Sequence, residues 1–206
     1  MLRQRRVPMR QQRMFEDPPF ARQLFGNTYF SWIWLIARLY VGWQWLTSGW
    51  GKFNDPKWME TGAALQAFWE RAIVVPETGR PPVVFDWYRS FLEVLLAGGH
   101  YTWFAKLVLL GEIAVGLALI LGAFTGIAAF FGALMNWNFM MAGSASTNPV
   151  MFALAVLLLL AWKTAGYYGL DRWLLPALGT PWQPGEIFQR TETPRGSQPP
   201  LPAHQT

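Results

Sequence analysis

From Ile113 to Trp162 the chain has no Asp, Glu, Lys, Arg or His. A surface facing water needs charged groups every few residues, so the natural surroundings of this stretch are hydrocarbon. The gap is too long for one crossing of about 20 residues, and it is broken twice where a chain can turn. GAFTG (122–126) reads as a tight turn rich in small residues, and GSASTNP (143–149) is polar and closes on a proline. These breaks predict helices over about 103–121, 125–142 and 149–170, and an earlier apolar stretch, 29–51, predicts a fourth. The expectation is an all-α integral membrane protein, a four-transmembrane-helix bundle.

The connection between the first and second spans, 52–102, is long but patterned. Trp58, Gly62, Leu65, Phe68, Trp69 and Ala72 recur at helical spacing. Further on, Asp86, Arg89 and Glu93 share one helix face, and Trp87, Phe91, Val94 and Leu95 share the other. Two amphipathic helices separated by the breaker PETGRPP (76–82) would form a cap on the outer membrane surface, either as a simple cover or as a substrate vestibule. After Leu170, DRWLLPALG (171–179) reads as a short interfacial helix, and the Pro-rich tail 180–206 as disordered. The chain thus divides into a basic arm (1–28), a membrane domain (29–179) and a tail (180–206).

Charge sets the orientation. The arm carries Arg3, Arg5, Arg6, Arg10, Arg13 and Arg22 against Glu16 and Asp17, which places it in the cytoplasm. Four spans return the C-terminus to the same side, giving a multi-pass protein of the prokaryotic cytoplasmic (inner) membrane with both termini inside. The arm has no aromatic interleaving, so its expected partner is the anionic lipid bilayer and not nucleic acid. The 13 Trp residues agree with this, since many, such as Trp32, Trp50, Trp103, Trp162 and Trp173, fall at predicted span ends. The chain has no Cys, and only His100 and His204 offer imidazole. No metal, haem or flavin is expected, and any electron carrier must diffuse in or belong to a partner.

The costly residues are the polar ones at mid-depth. Arg38 and Glu112 each lie roughly 14 Å along their predicted helices, and Asn136 falls at a similar depth, whereas Asn138 turns to another face. A charge there costs about 2.5 to 3.5 kcal/mol on insertion scales, and such groups usually pair. Each of the three has a glycine one turn away (Gly42, Gly116 and Gly132), which favours close helix approach. The expectation is one shared polar centre with an Arg38–Glu112 pair, catalytic or purely structural. Lys52 would sit at the outer mouth, where it could attract an anion. His100, beside Gly98 and Gly99, is a candidate interfacial acid or base, and Lys163 should snorkel.

RLYVGWQWLTSGWGKF (38–53), WFAKLVLLGEIAVGLALILGAFTGIAAFFGALMNWNFMMAGSASTNP (103–149) and AGYYGLDRWLLPALG (165–179) resemble the DoxX family of small four-helix membrane proteins. More narrowly, they resemble its DoxD-type branch, the large subunit of thiosulfate:quinone oxidoreductase. The resemblance implies electron transfer from a small sulfur oxyanion to diffusible membrane quinone, with a small partner subunit. The anion would need positive charge, available at Lys52, Lys57, His100 and Lys106. The quinone would need an aromatic cleft with polar groups for its carbonyls and a proton route, available at Trp45, Trp137, Asn136, Arg38 and Glu112. The alternative is a non-catalytic accessory or assembly subunit of a larger respiratory or photosynthetic complex, with Trp32, Trp34, Trp43 and Phe139 as outward packing knobs. A small-solute carrier ranks last, because no inverted repeat or interrupted helix pair is visible.

Overall fold

The computed structural model describes residues 17–179. The expectations for most of the basic arm and for the tail lie outside the described residues. Everything described is helix, turn or loop, with no strand among the described residues. Helix α1 (Pro19–Gly26) and a 3-10 turn (Thr28–Phe30) lead into α2 (Ser31–Phe53). Then come α3 (Pro56–Met59), α4 (Ala63–Ile73) and α5 (Asp86–Ala97), followed by α6 (Tyr101–Leu121), α7 (Thr125–Met141) and α8 (Asn148–Leu160). The chain closes with α9 (Trp162–Ala165) and α10 (Asp171–Leu178).

Helices α2, α6, α7 and α8 occupy the four long apolar stretches, α2 packing along α6 and α7 along α8. Their joint core includes Trp34, Val41, Trp45, Val115, Leu119, Ala129 and Leu158. Among the described residues, only α6 is by length and composition a helix able to cross a bilayer. Helix α2 has 23 residues but carries Arg38, Gln44, Thr47, Ser48 and Lys52 among its apolar positions. The stretch expected as the fourth span is interrupted: α8 has 13 residues and ends at Leu160, and the chain turns at Ala161 before α9.

The crossing of α2 and α6 is set by two glycines. A Cβ on Gly42 would lie 3.0 Å from the Gly116 carbonyl oxygen, and one on Gly116 only 2.6 Å from the Leu46 backbone nitrogen. Nothing larger than hydrogen fits there, so the two backbones meet.

The cap folds as the amphipathic reading requires, with a correction at α5. Leu65, Trp69 and Ala72 of α4 join Val83, Tyr88 and Leu92 in a second core that seals against Ala105 of α6 and Ala142 beyond α7. The buried face of α5 is therefore Tyr88 and Leu92, supported by Leu95 and Leu96. Most of the expected apolar face turns outward, leaving Trp87, Phe91 and Val94 exposed, while Leu95 packs against the core. The reason is the Tyr88 hydroxyl. It donates to the backbone carbonyl of Asn138 at 3.1 Å and contacts the Asn138 side-chain oxygen at 3.2 Å, which rotates α5 about its axis. Burial pushes the Tyr88 phenol up to about 12.

At the opposite end the chain ties itself into a clip. The buried Arg38 guanidinium donates through Nη1 to the carbonyls of Leu119 and Ile120, both at 2.7 Å, and through Nη2 to that of Tyr168 at 2.6 Å. It thereby holds last-turn carbonyls of α6, that of Leu119 in addition to the Gly122 N–H. Asp171, at the start of α10, accepts the N–H groups of Phe124 and Thr125 at 2.6 and 2.9 Å, capping α7. Gly122 takes the left-handed turn between the two helices at φ 64°, and a side chain there would meet the Arg38 guanidinium.

Candidate functional site

The C-terminal halves of α2 and α7, the middle of α6 and the N-terminal end of α8 meet at the end of the bundle that carries the cap. Between them opens a cleft of about 450 Å³. Its lining combines Gln44, Thr47, Ser48 and Lys52 of α2 with Glu112 of α6 and Phe139 of α7; the α7–α8 turn adds hydroxyl groups at Ser144, Ser146 and Thr147. Trp45 and Met151 supply apolar wall. Lys52 and Glu112 are the charged residues of this lining.

These two form the floor. The Lys52 ammonium donates to both Glu112 carboxylate oxygens, at 2.9 and 2.7 Å, and to Ser48 Oγ at 2.7 Å. Glu112 is fully buried, while the Lys52 side chain keeps 17% of its exposure. The ammonium also lies 5.1 Å from the Trp58 ring centroid and 6.0 Å from that of Phe139. It is thus held by one carboxylate, one hydroxyl and two aromatic faces. Helix geometry explains its reach, because a side chain on α2 leans toward the helix N-terminus, and from position 52 that direction leads down to Glu112.

The expected Arg38–Glu112 pair is not formed. Helices α2 and α6 run antiparallel through the Gly42–Gly116 contact. Arg38 lies one turn to one side of that crossing, level with Ile120, and Glu112 one turn to the other side, level with Leu46 to Gly49. The two charges therefore serve different ends of the bundle, Arg38 in the clip and Glu112 in the cleft. The single shared polar centre becomes two, and Lys52 is the carboxylate's partner instead of a free charge at the mouth.

Asn136 does share the level of Glu112. Val115 of α6 packs against Gly132 of α7, so one turn toward the cap on each helix brings Glu112 and Asn136 to similar height. Asn136 is fully buried and neither amide atom has a hydrogen-bond partner; Trp45 Nε1, which sits against Gly132, is likewise unpartnered. The Trp45 ring lines the cleft and stacks on Phe139 at 6.5 Å. Three expected residues, Lys52, Glu112 and Trp45, therefore line the cleft, with Asn136 behind its wall.

The others fall elsewhere. Trp137 stacks on Trp87 at 6.4 Å beneath the cap. His100 precedes α6, exposed, where its Nδ1 accepts the Trp103 indole N–H at 3.2 Å. Two aromatics expected as outward knobs are not. Trp34 is buried, stacked on Phe25 and donating to the Leu24 carbonyl, and Phe139 belongs to the cleft. Ser48 was missed, although its place one turn before Lys52 on α2 was the available signal. The α7–α8 hydroxyls were read only as a turn. No group of three or more His, Asp or Glu residues able to hold a metal occurs among the described residues.

Residues 33–145, which hold both the glycine crossing and the Lys52–Glu112 floor, match the DoxX family. The chain belongs to the DoxX family. That family is one of membrane proteins, which gives the exposed apolar faces of this DoxX chain, with Leu107 and Leu110 on α6 and Ile127, Phe130 and Phe131 on α7, a lipid environment. No curated protein and no solved structure matches the chain.

Proposed function

We propose that this DoxX protein crosses the inner membrane four times, through α2, α6, α7 and the α8–α9 segment, with both ends in the cytoplasm and the cleft opening outward. It acts as the membrane subunit of a quinone-linked oxidoreductase of the DoxD kind, passing electrons from a small sulfur oxyanion such as thiosulfate to diffusible quinone, alongside a small partner subunit. The observation that carries this reading is the Lys52–Glu112 pair on the floor of an aromatic-walled cleft.

The chemistry asks for what the cleft holds. Oxidative coupling of two thiosulfates to tetrathionate forms an S–S bond and releases two electrons and no proton. Reduction of quinone to quinol consumes two electrons and two protons. Protons must therefore be handed to the acceptor, and a buried carboxyl group beside an ammonium is suited to that exchange. The Trp45–Phe139 wall offers faces for a flat ring, and Gln44, Ser48 and Asn148 of the lining offer hydrogen bonds to its carbonyl oxygens. The chain's own residues bind, orient and move protons; the electrons travel between donor and acceptor or through the partner.

Membranes containing the protein and its partner should reduce a quinone analogue when given thiosulfate. Lys52→Met should mainly raise the apparent KM for the anion. Glu112→Gln preserves shape but cannot exchange a proton, and should mainly lower kcat, by about 10² to 10⁴. Full activity in an assembled Glu112→Gln protein, or failure of every donor to reduce quinone, ends this reading and leaves the accessory-subunit alternative.

A further inference from the structure

The cleft is rich in hydrogen-bond donors yet carries no net charge. Lys52 is its cation, and Ser48, Ser144, Ser146, Thr147 and Asn148 surround the space above the floor. This set suits the oxygens of a small oxyanion, except that Glu112 already occupies the ammonium with both of its own. A dianion such as thiosulfate that took Glu112's place at Lys52 would leave three negative charges facing one positive charge at a fully buried carboxylate. Low-dielectric surroundings penalise that arrangement heavily, and the remedy available to a carboxylate is to take up a proton.

Nothing else in the cleft can absorb the charge. Helices α7 and α8 contribute no titratable side chain to it. The other charged groups on α2 and α6 and on the elements packed against these two helices are Arg38 of α2, Asp55, Lys57 and Glu60 about α3, Glu70 and Arg71 of α4, Lys106 of α6 and Lys163 of α9. None of them lines the cleft.

Resting on the assignment of this cleft as the substrate site, we propose that it takes up a small oxyanion together with one proton. The anion replaces the Glu112 carboxylate at Lys52, and the proton neutralises Glu112. The cleft's net charge then changes only by that of the anion plus one, so a dianion such as thiosulfate or sulfate adds one negative charge in place of two.

The test uses the full chain in lipid nanodiscs, without quinone, titrated with inorganic thiosulfate and, separately, sulfate. Calorimetry in two buffers of different ionisation heat counts the protons bound. The expected result is uptake of one proton per anion. Affinity should weaken about tenfold per pH unit wherever the free cleft holds Glu112 ionised. Glu112→Gln should bind the anion at least as well as the native chain, with no proton uptake and a flat pH profile, whereas Lys52→Met should lose binding. Binding by the native chain without proton uptake overturns the proposal, as does absence of binding for both anions. Loss of binding in a folded Glu112→Gln protein also overturns it, and if that variant does not fold, the native proton count decides. Proton-coupled binding in a chain that never reduces quinone would sink the oxidoreductase reading alone. Quinone reduction with proton-free anion binding would sink this inference alone.

Discussion

Lys52 and Glu112 show how one contact reassigns several residues. With 2.7 Å between ammonium and carboxylate and Glu112 fully buried, removal of either partner leaves a charge without compensation in low dielectric. Glu112→Ala should therefore destabilise the protein more in the native background than in one already carrying Lys52→Met. The expected coupling is about 1 to 3 kcal/mol, measured as a double-mutant cycle on detergent-unfolding midpoints. The same cycle with Arg38→Met should give additive effects, since Arg38 is bonded to the carbonyls of Leu119, Ile120 and Tyr168. Additivity for Lys52 would remove the pair from the energetics of the fold, and strong coupling for Arg38 would restore the pairing expected from depth alone. The charges themselves were legible, because an arginine and a glutamate within apolar runs stand out. Their partners were not, because partner choice depends on where two antiparallel helices cross, and the observed crossing puts Arg38 and Glu112 on opposite sides of it. Asn136 was legible in depth and face, and its unpartnered amide emerges only once the neighbouring side chains are in place.

At the scale of elements, the crossing itself is the quantity that patterning could indicate but not locate. Gly42 and Gly116 were singled out for standing one turn from Arg38 and Glu112; what the structure adds is that these two glycines touch each other. Gly116→Ala would place a methyl 2.6 Å from the Leu46 nitrogen and 2.9 Å from the Gly42 carbonyl oxygen, backbone atoms that can yield only by separating α2 from α6. The expected cost is about 1 to 3 kcal/mol, typical of overpacking. Because the Lys52–Glu112 contact lies just above this crossing, anion binding should weaken along with stability. Gly111→Ala on the same helix is the control. Its added methyl meets only Met135 Sδ at 3.4 Å, a flexible side-chain atom, and should be neutral or mildly stabilising. Equal effects from the two substitutions in a thermal-melt comparison would mean that the crossing is not held by glycine contact. Helix α5 teaches a related lesson. Its two faces were separable by period, yet which apolar set turned inward was decided by a tyrosine hydroxyl finding Asn138, information that hydrophobicity does not carry.

For the whole molecule, the gap in charge from Ile113 to Trp162 and the spacing of its two turns foreshadowed the packed helices α6, α7 and α8, and composition pointed to lipid. The arrangement of the ends makes that reading testable as a topology. The cap, the cleft and the α7–α8 turn all lie at one end of the bundle, while α1, the α6–α7 turn and α10 lie at the other. A bundle inserted across a bilayer must then show every probe at the first end on one face of the membrane and every probe at the second on the opposite face. The chain has no native cysteine, so single replacements report cleanly. Gly79 in the cap loop and Ser146 in the α7–α8 turn are exposed, as is Gln23 in α1. On the proposed orientation, in intact cells an impermeant thiol reagent should label Gly79→Cys and Ser146→Cys, and should reach Gln23→Cys only after the membrane is opened. Labelling of Gln23→Cys alone would invert the orientation and turn the cleft toward the cytoplasm. Labelling of Gly79→Cys and Ser146→Cys from opposite sides would break the bundle as described, since both lie at the same end of it. Equal labelling of all three in intact cells would mean that the bundle does not cross the membrane, and the lipid-facing assignment of the leucine and phenylalanine faces on α6 and α7 would fall with it.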